Sequence, residues 1–172
     1  MVFMPIYIFF WSLLFLIAIV DLKENKIPNV LLILLFTFQV LTLYTTQISI
    51  LNFILGGVVL FSGAFALFYI RAMSPGDVKL LGVVGFCVGF DSLGTCVFWI
   101  ILASGLVGGL FVLYNFSFLG INNPMILINE PKLYTRVNSN VGNTNPWRYG
   151  DKLTMPFAPS VMIGLALFYY FN

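Results

Sequence analysis

Apolar residues in this chain gather into runs much longer than the core-facing stripe of a soluble helix. Six runs cover about residues 2 to 20, 30 to 46, 50 to 70, 78 to 90, 94 to 118 and 153 to 171, each bounded by polar, Gly or Pro residues. Five reach the roughly 17 to 25 helical residues that cross a bilayer core. The fourth is short: at about 1.5 Å per residue, Leu80 to Phe90 covers about half of a roughly 30 Å hydrocarbon layer. The pattern predicts an all-α fold of about six transmembrane helices in one domain, residues 1 to 172, with a polar loop over 119 to 152 before the last helix.

Composition supports that expectation. Of 172 residues, 60% are hydrophobic and 8% charged, and the mean hydropathy is +1.02. A soluble domain carries about 25% charged residues, so this chain is expected to be a polytopic membrane protein. The first run lacks the basic flank and small-residue cleavage site of a signal peptide, and it is expected to be a retained span. The stretch 119 to 152 holds seven asparagines and Pro124, Pro131 and Pro146, and is expected to be irregular, with a short interfacial helix around Met125 to Ile128. Gly56, Gly57 and Gly63, Gly82, Gly85 and Gly89, and Gly105, Gly108 and Gly109 let membrane helices approach closely, and packing is their expected role.

The placement of charge gives the topology. With six spans, Lys23 and Lys26 fall in the first connection, Arg71 and Lys79 in the third, and Lys132, Arg136, Arg148 and Lys152 in the fifth. All eight basic residues then lie on one side, which basic flanks mark as cytoplasmic. Both termini are expected outside. The basic residues of the long loop follow this topology or meet anionic lipid.

Several chemistries are excluded. There is no histidine, which removes imidazole bases, Ser-His triads and ordinary zinc sites, and neither metal nor cofactor is expected. A net charge of +2 is too small to argue for nucleic acid. Cys87 and Cys96 sit in apolar stretches without a Cys-x-x-Cys spacing and are expected to fill space. The sequon Asn115-Phe116-Ser117 ends an apolar run, where a glycan has no room.

Two of the six acids remain to be explained. Asp21 ends the first run, and Asp77 stands behind Pro75-Gly76 at the start of the short fourth run. An aspartate near the centre of a membrane helix costs roughly 2.5 to 3.5 kcal/mol, so acids that accompany spans are usually functional. Asp21 alone, beside Lys23 and Lys26, reads equally as a solvated charge, and Glu24, Asp91, Glu130 and Asp151 read as loop charges. The topology puts Asp21 and Asp77 at the same boundary, where they are expected to meet. Two nearby carboxylates in a poorly solvated site share one proton. The ionised member then activates water while the protonated one polarises a scissile carbonyl. A small proton- or cation-coupled transporter would use the same acids but does not account for both at one boundary, and a scaffold subunit that bonds its helices through them would often tolerate Asp-to-Asn changes.

At these residues the chain resembles the type IV prepilin peptidases, membrane aspartic proteases with a Gly-x-Gly-Asp type of site, and in particular the small forms of tight-adherence pilus systems. The resemblance rests on Asp21 followed by Lys26-Ile27-Pro28-Asn29, on Gly76-Asp77-Val78-Lys79-Leu80-Leu81-Gly82, and on Met155-Pro156-Phe157-Ala158-Pro159-Ser160. Ser74 and Ala158 depart from it, each standing where Gly is common, and Ser74 is expected to alter flexibility ahead of Asp77. The resemblance implies that Asp21 and Asp77 are catalytic and that Pro28, Asn29, Gly76 and Lys79 bind substrate or support the motifs. It implies a bacterial cytoplasmic-membrane endopeptidase that removes the short basic leader of prepilin-like proteins at the cytoplasmic face. The first connection is too short for the cysteine-motif region of longer members, so no N-methyltransferase activity is expected. The implied partners are a prepilin and the bilayer, with a homodimer left open.

Overall fold

A computed structural model describes residues 3–46, 49–119, 148–149, 152–153 and 156–172. Among these are six helices: α1 (Phe3–Glu24), α2 (Asn29–Thr46), α3 (Ile50–Tyr69), α4 (Pro75–Val88), α5 (Leu93–Leu119) and α6 (Ala158–Phe171). Two short strands, β1 (Arg148–Tyr149) and β2 (Lys152–Leu153), pair antiparallel. The chain divides into two compact units, Met1–Ser104 with Pro156–Asn172, and Gly105–Met155. Among the described residues, the second unit holds the C-terminal part of α5 and the β1–β2 pair.

The helices follow the apolar runs, with three differences. Helix α1 continues to Glu24, so both Asp21 and Glu24 are helical rather than in a connection. The last helix begins at Ala158 and not at residue 153, because Lys152 and Leu153 join a strand pair and Pro159 suits a first helical turn, where no N–H is needed. Part of the expected irregular loop is therefore a regular strand pair. The helix expected around Met125 to Ile128 lies outside the described residues.

In the first unit, α3 packs along α4, α4 against α2, α2 against α1, and α1 against α6. Aromatic pairs mark three of these seams: Phe9 with Phe38, Phe36 with Phe86, and Trp11 with Tyr169, with ring centroids 4.9, 4.7 and 6.0 Å apart. Trp99 of α5 stacks on Phe171 of α6. The core between the seams includes Ile17, Leu35, Leu80, Val84, Val161 and Leu165, all nearly or fully buried.

Outward-facing side chains are apolar too. Ile8, Val30, Leu51 and Phe98 are more than half exposed, which suits a bundle whose surroundings are lipid. By length and composition, Ile50–Tyr69 and Leu93–Phe111 can each cross a membrane, and Asn29–Tyr44 and Ala158–Phe171 are shorter apolar helices.

The α3–α4 seam is close because it lacks side chains. A Cβ at Gly56 would stand 2.6 Å from the Gly85 carbonyl oxygen, and one at Gly85 would stand 2.5 Å from that of Gly56. These obstacles are backbone, so neither helix can yield without moving. At its far end α4 stops at Gly89, whose φ of +83° favours glycine. There the Phe90 N–H donates to the Asn52 carbonyl at 3.1 Å, and the Asn52 amide donates to Asp91 at 2.8 Å. Asp91, expected to be a free loop charge, is part of this latch.

Gly85→Val is expected to cost about 1 to 3 kcal/mol through overpacking. Gly63→Val should be neutral, because its Cβ would meet nothing within 4 Å. Thermal unfolding of the two variants in detergent checks the difference.

Candidate active site

The segment ahead of Asp77 is shaped by two helix ends. Helix α3 closes with Arg71 in the left-handed region at φ +61°. The Ala72 N–H reaches the Leu67 carbonyl at 3.0 Å and the Arg71 N–H that of Phe68 at 2.9 Å, the two bonds of a Schellman turn. Three residues later Ser74, in extended conformation, caps α4, and Pro75 supplies a first helical residue with φ already set. Asp77 is the third residue of the helix. Its N–H donates to Ser74 Oγ at 3.4 Å, and its Oδ2 accepts the Ser74 N–H at 3.3 Å, which completes a capping box. Ser74 thus restrains the backbone before Asp77 instead of loosening it. Ser-x-x-Asp ahead of an apolar run was legible as this signal.

Asp21 has a different support. It lies in the last turn of α1, the negative end of the helix dipole, where an acid is locally unfavourable. It is nevertheless only 4% exposed. Its Oδ2 accepts the Ala158 N–H at 2.9 Å, at the positive end of α6. The Pro-Phe-Ala-Pro stretch therefore contributes a main-chain donor to the site. Nothing in residue type announces such a donor, and a sequence separation of 137 carries no periodic signal.

The motif blocks around Asp21 and Asp77 are adjacent. A Cβ at Gly76 would sit 3.4 Å from Ile27 Cβ, and Lys79 Nζ donates to Asn29 Oδ1 at 3.0 Å. Pro28 is half-buried, and its carbonyl accepts from the Leu31 and Leu32 N–H groups, starting α2. Pro28 and Asn29 thus organise the start of α2 and its tie to α4. Gly76 has no positive φ, and 3.4 Å is ordinary contact, so the fold itself would accept alanine there.

Both carboxylates lie outside the apolar runs, one residue past the first and one before the fourth. Burial pushes the Asp77 carboxyl up to about 6; the Asp21 charge acts in the same direction, while the Ser74 hydroxyl and N–H oppose it. Burial also raises Asp21, against the Ala158 and Phe157 N–H groups. Both shifts favour the protonated form over a pH range where isolated aspartates would be ionised.

A family model described as the type IV leader peptidase family matches residues 8–113. That is more than half of the chain, and both acids fall within it. The protein belongs to this family, which makes it a protease. Curated proteins and solved structures yield no match. Met155 to Ser160, and with it the Ala158 donor, lie beyond the matched segment.

The raised Asp77 pKa has a consequence for stability. The folded state holds more protons than the unfolded chain between the ordinary value of 3.8 and about 6. Stability is therefore expected to fall as pH rises through that window. Asp77→Asn should flatten the slope, leaving the part due to Asp21; melting temperature against pH in detergent checks this.

Proposed function

We propose that this chain is an aspartic endopeptidase of the bacterial cytoplasmic membrane that removes the short basic leader of prepilin-like proteins. What supports the proposal is that the Asp21 charge acts on the Asp77 carboxyl and that both acids fall inside the matched segment. In the proposed arrangement the six apolar runs span the bilayer, both termini lie outside, and the two acids, just past the ends of their runs, open to the cytoplasmic face. The grouping of every basic residue on one side supports this topology.

The chemistry divides between the acids. The α6 N-terminus favours the anion at Asp21, so Asp21 takes a proton from the attacking water. Asp77 keeps its proton, donates it to the carbonyl oxygen of the scissile bond, and so stabilises the tetrahedral intermediate. The pair titrates as a unit. Its active form carries one proton, and the alkaline limb of the rate profile reports the loss of that proton.

The substrate helix enters from the bilayer and unwinds at the cleavage site, which a poor helix former such as glycine makes easier. Pro28, Asn29, Gly76 and Lys79 shape the rim through the contacts described. Only residues 25 to 28 separate α1 from α2, which supports a peptidase without the methyltransferase-associated region.

The test is co-expression with a prepilin-like substrate, following the leader by gel shift and mass spectrometry. Asp21→Asn and Asp77→Asn should each reduce cleavage about a hundredfold or more at normal membrane levels. Cleavage that survives in either variant removes that residue from the mechanism. Failure of the wild type to cut several such substrates would instead favour proton- or cation-coupled transport.

A further inference from the structure

The capping box at the head of α4 does more than end a helix, because its acidic member is Asp77. In an ordinary capping box the third-position acid serves the helix, donating nothing and reacting with nothing. Here one carboxylate oxygen, Oδ2, is held by the Ser74 N–H at 3.3 Å, while the Asp77 N–H is held by Ser74 Oγ at 3.4 Å. The two bonds are reciprocal, so backbone and side chain of Asp77 are fixed against the same residue. Aspartate is one methylene shorter than the glutamate usual at this position, and its carboxylate is correspondingly drawn in toward the cap. Pro75 narrows the backbone freedom between them. A glycine at position 74 would keep the N–H and lose the Oγ half of the box.

We propose that Ser74 is a positioning residue, which through the reciprocal box sets the orientation of the Asp77 carboxylate and leaves Oδ1 outside it for the substrate. The proposal rests on the peptidase role of Asp77. It concerns an interaction made by this chain's own serine at a place where the resemblance leads one to expect glycine. Ser74 is exposed and Asp77 half-buried, so the box lies on the side from which a substrate can arrive. Asp21, on α1, is the charged group that acts on Asp77, and substitutions at position 74 leave it in place.

Substitution by glycine separates positioning from capping. Glycine is a good N-cap, and replacing a serine cap by it weakens a helix far less than replacing it by alanine. The experiment compares purified wild type, Ser74→Gly, Ser74→Ala and Ser74→Thr for prepilin cleavage, melting temperature and rate against pH, with Asp77→Asn as control. If Ser74 positions Asp77, Ser74→Gly lowers kcat about three- to tenfold, as expected for one lost hydrogen bond, with KM unchanged. Its melting temperature stays near that of the wild type. Ser74→Thr, which retains the oxygen, restores kcat.

Unchanged or increased kcat in Ser74→Gly overturns the proposal, as does a loss that Ser74→Thr shares. An effect confined to melting temperature, in glycine or alanine, reduces Ser74 to a helix cap and overturns it too. If Asp77→Asn still cleaves, the peptidase role of Asp77 fails first, and that outcome is visible in the same experiment.

Discussion

The site depends on one buried contact between chain segments far apart in sequence. Asp21 is held at the wrong end of its own helix and is made tolerable by the right end of another. The Ala158 N–H offsets part of the desolvation of the carboxylate and of the unfavourable field of α1. Without α6 in place, Asp21 would have to take a proton or turn out to water. The last helix is therefore part of the proposed chemistry as well as part of the bundle, and so are the two prolines that fix where it starts.

Around this contact the architecture is one of close approach. The α3–α4 seam brings backbone against backbone, and Gly164 of α6 admits Ile100 of α5, where a Cβ would stand 2.6 Å from the Ile100 Cα. Helices in lipid gain nothing from hiding apolar surface from one another, so such contacts supply the packing that a soluble protein would take from the hydrophobic effect. They also leave α4 little slack, and its N-terminal turn carries Asp77.

The helices were legible because each coincides with an apolar run, and run length alone located them to within a few residues. Their ends were less so: α1 outlasts its run by a turn because Asp21 and Glu24 are compatible with helix, and α6 starts late because Leu153 is apolar yet paired in a strand. The two carboxylates of the proposed site stand out in the sequence because acids are rare in so apolar a chain. The Ser74 cap is written in the sequence as Ser-x-x-Asp ahead of an apolar run. The Ala158 donor could not be read at all, since a main-chain N–H has no side-chain signature and only three-dimensional proximity assigns it to Asp21. The expected special role of Gly76 finds no steric requirement in the fold.

Helix α4 is fastened at both ends, by the Ser74 box at its start and by the Asn52 latch beyond Gly89. A short rod clamped in this way cannot act as a piston. In the proposed peptidase Asp77 is thus an anvil fixed in the wall, and the travel needed to bring a peptide bond against it belongs to the substrate, which must slide and unwind until its carbonyl arrives.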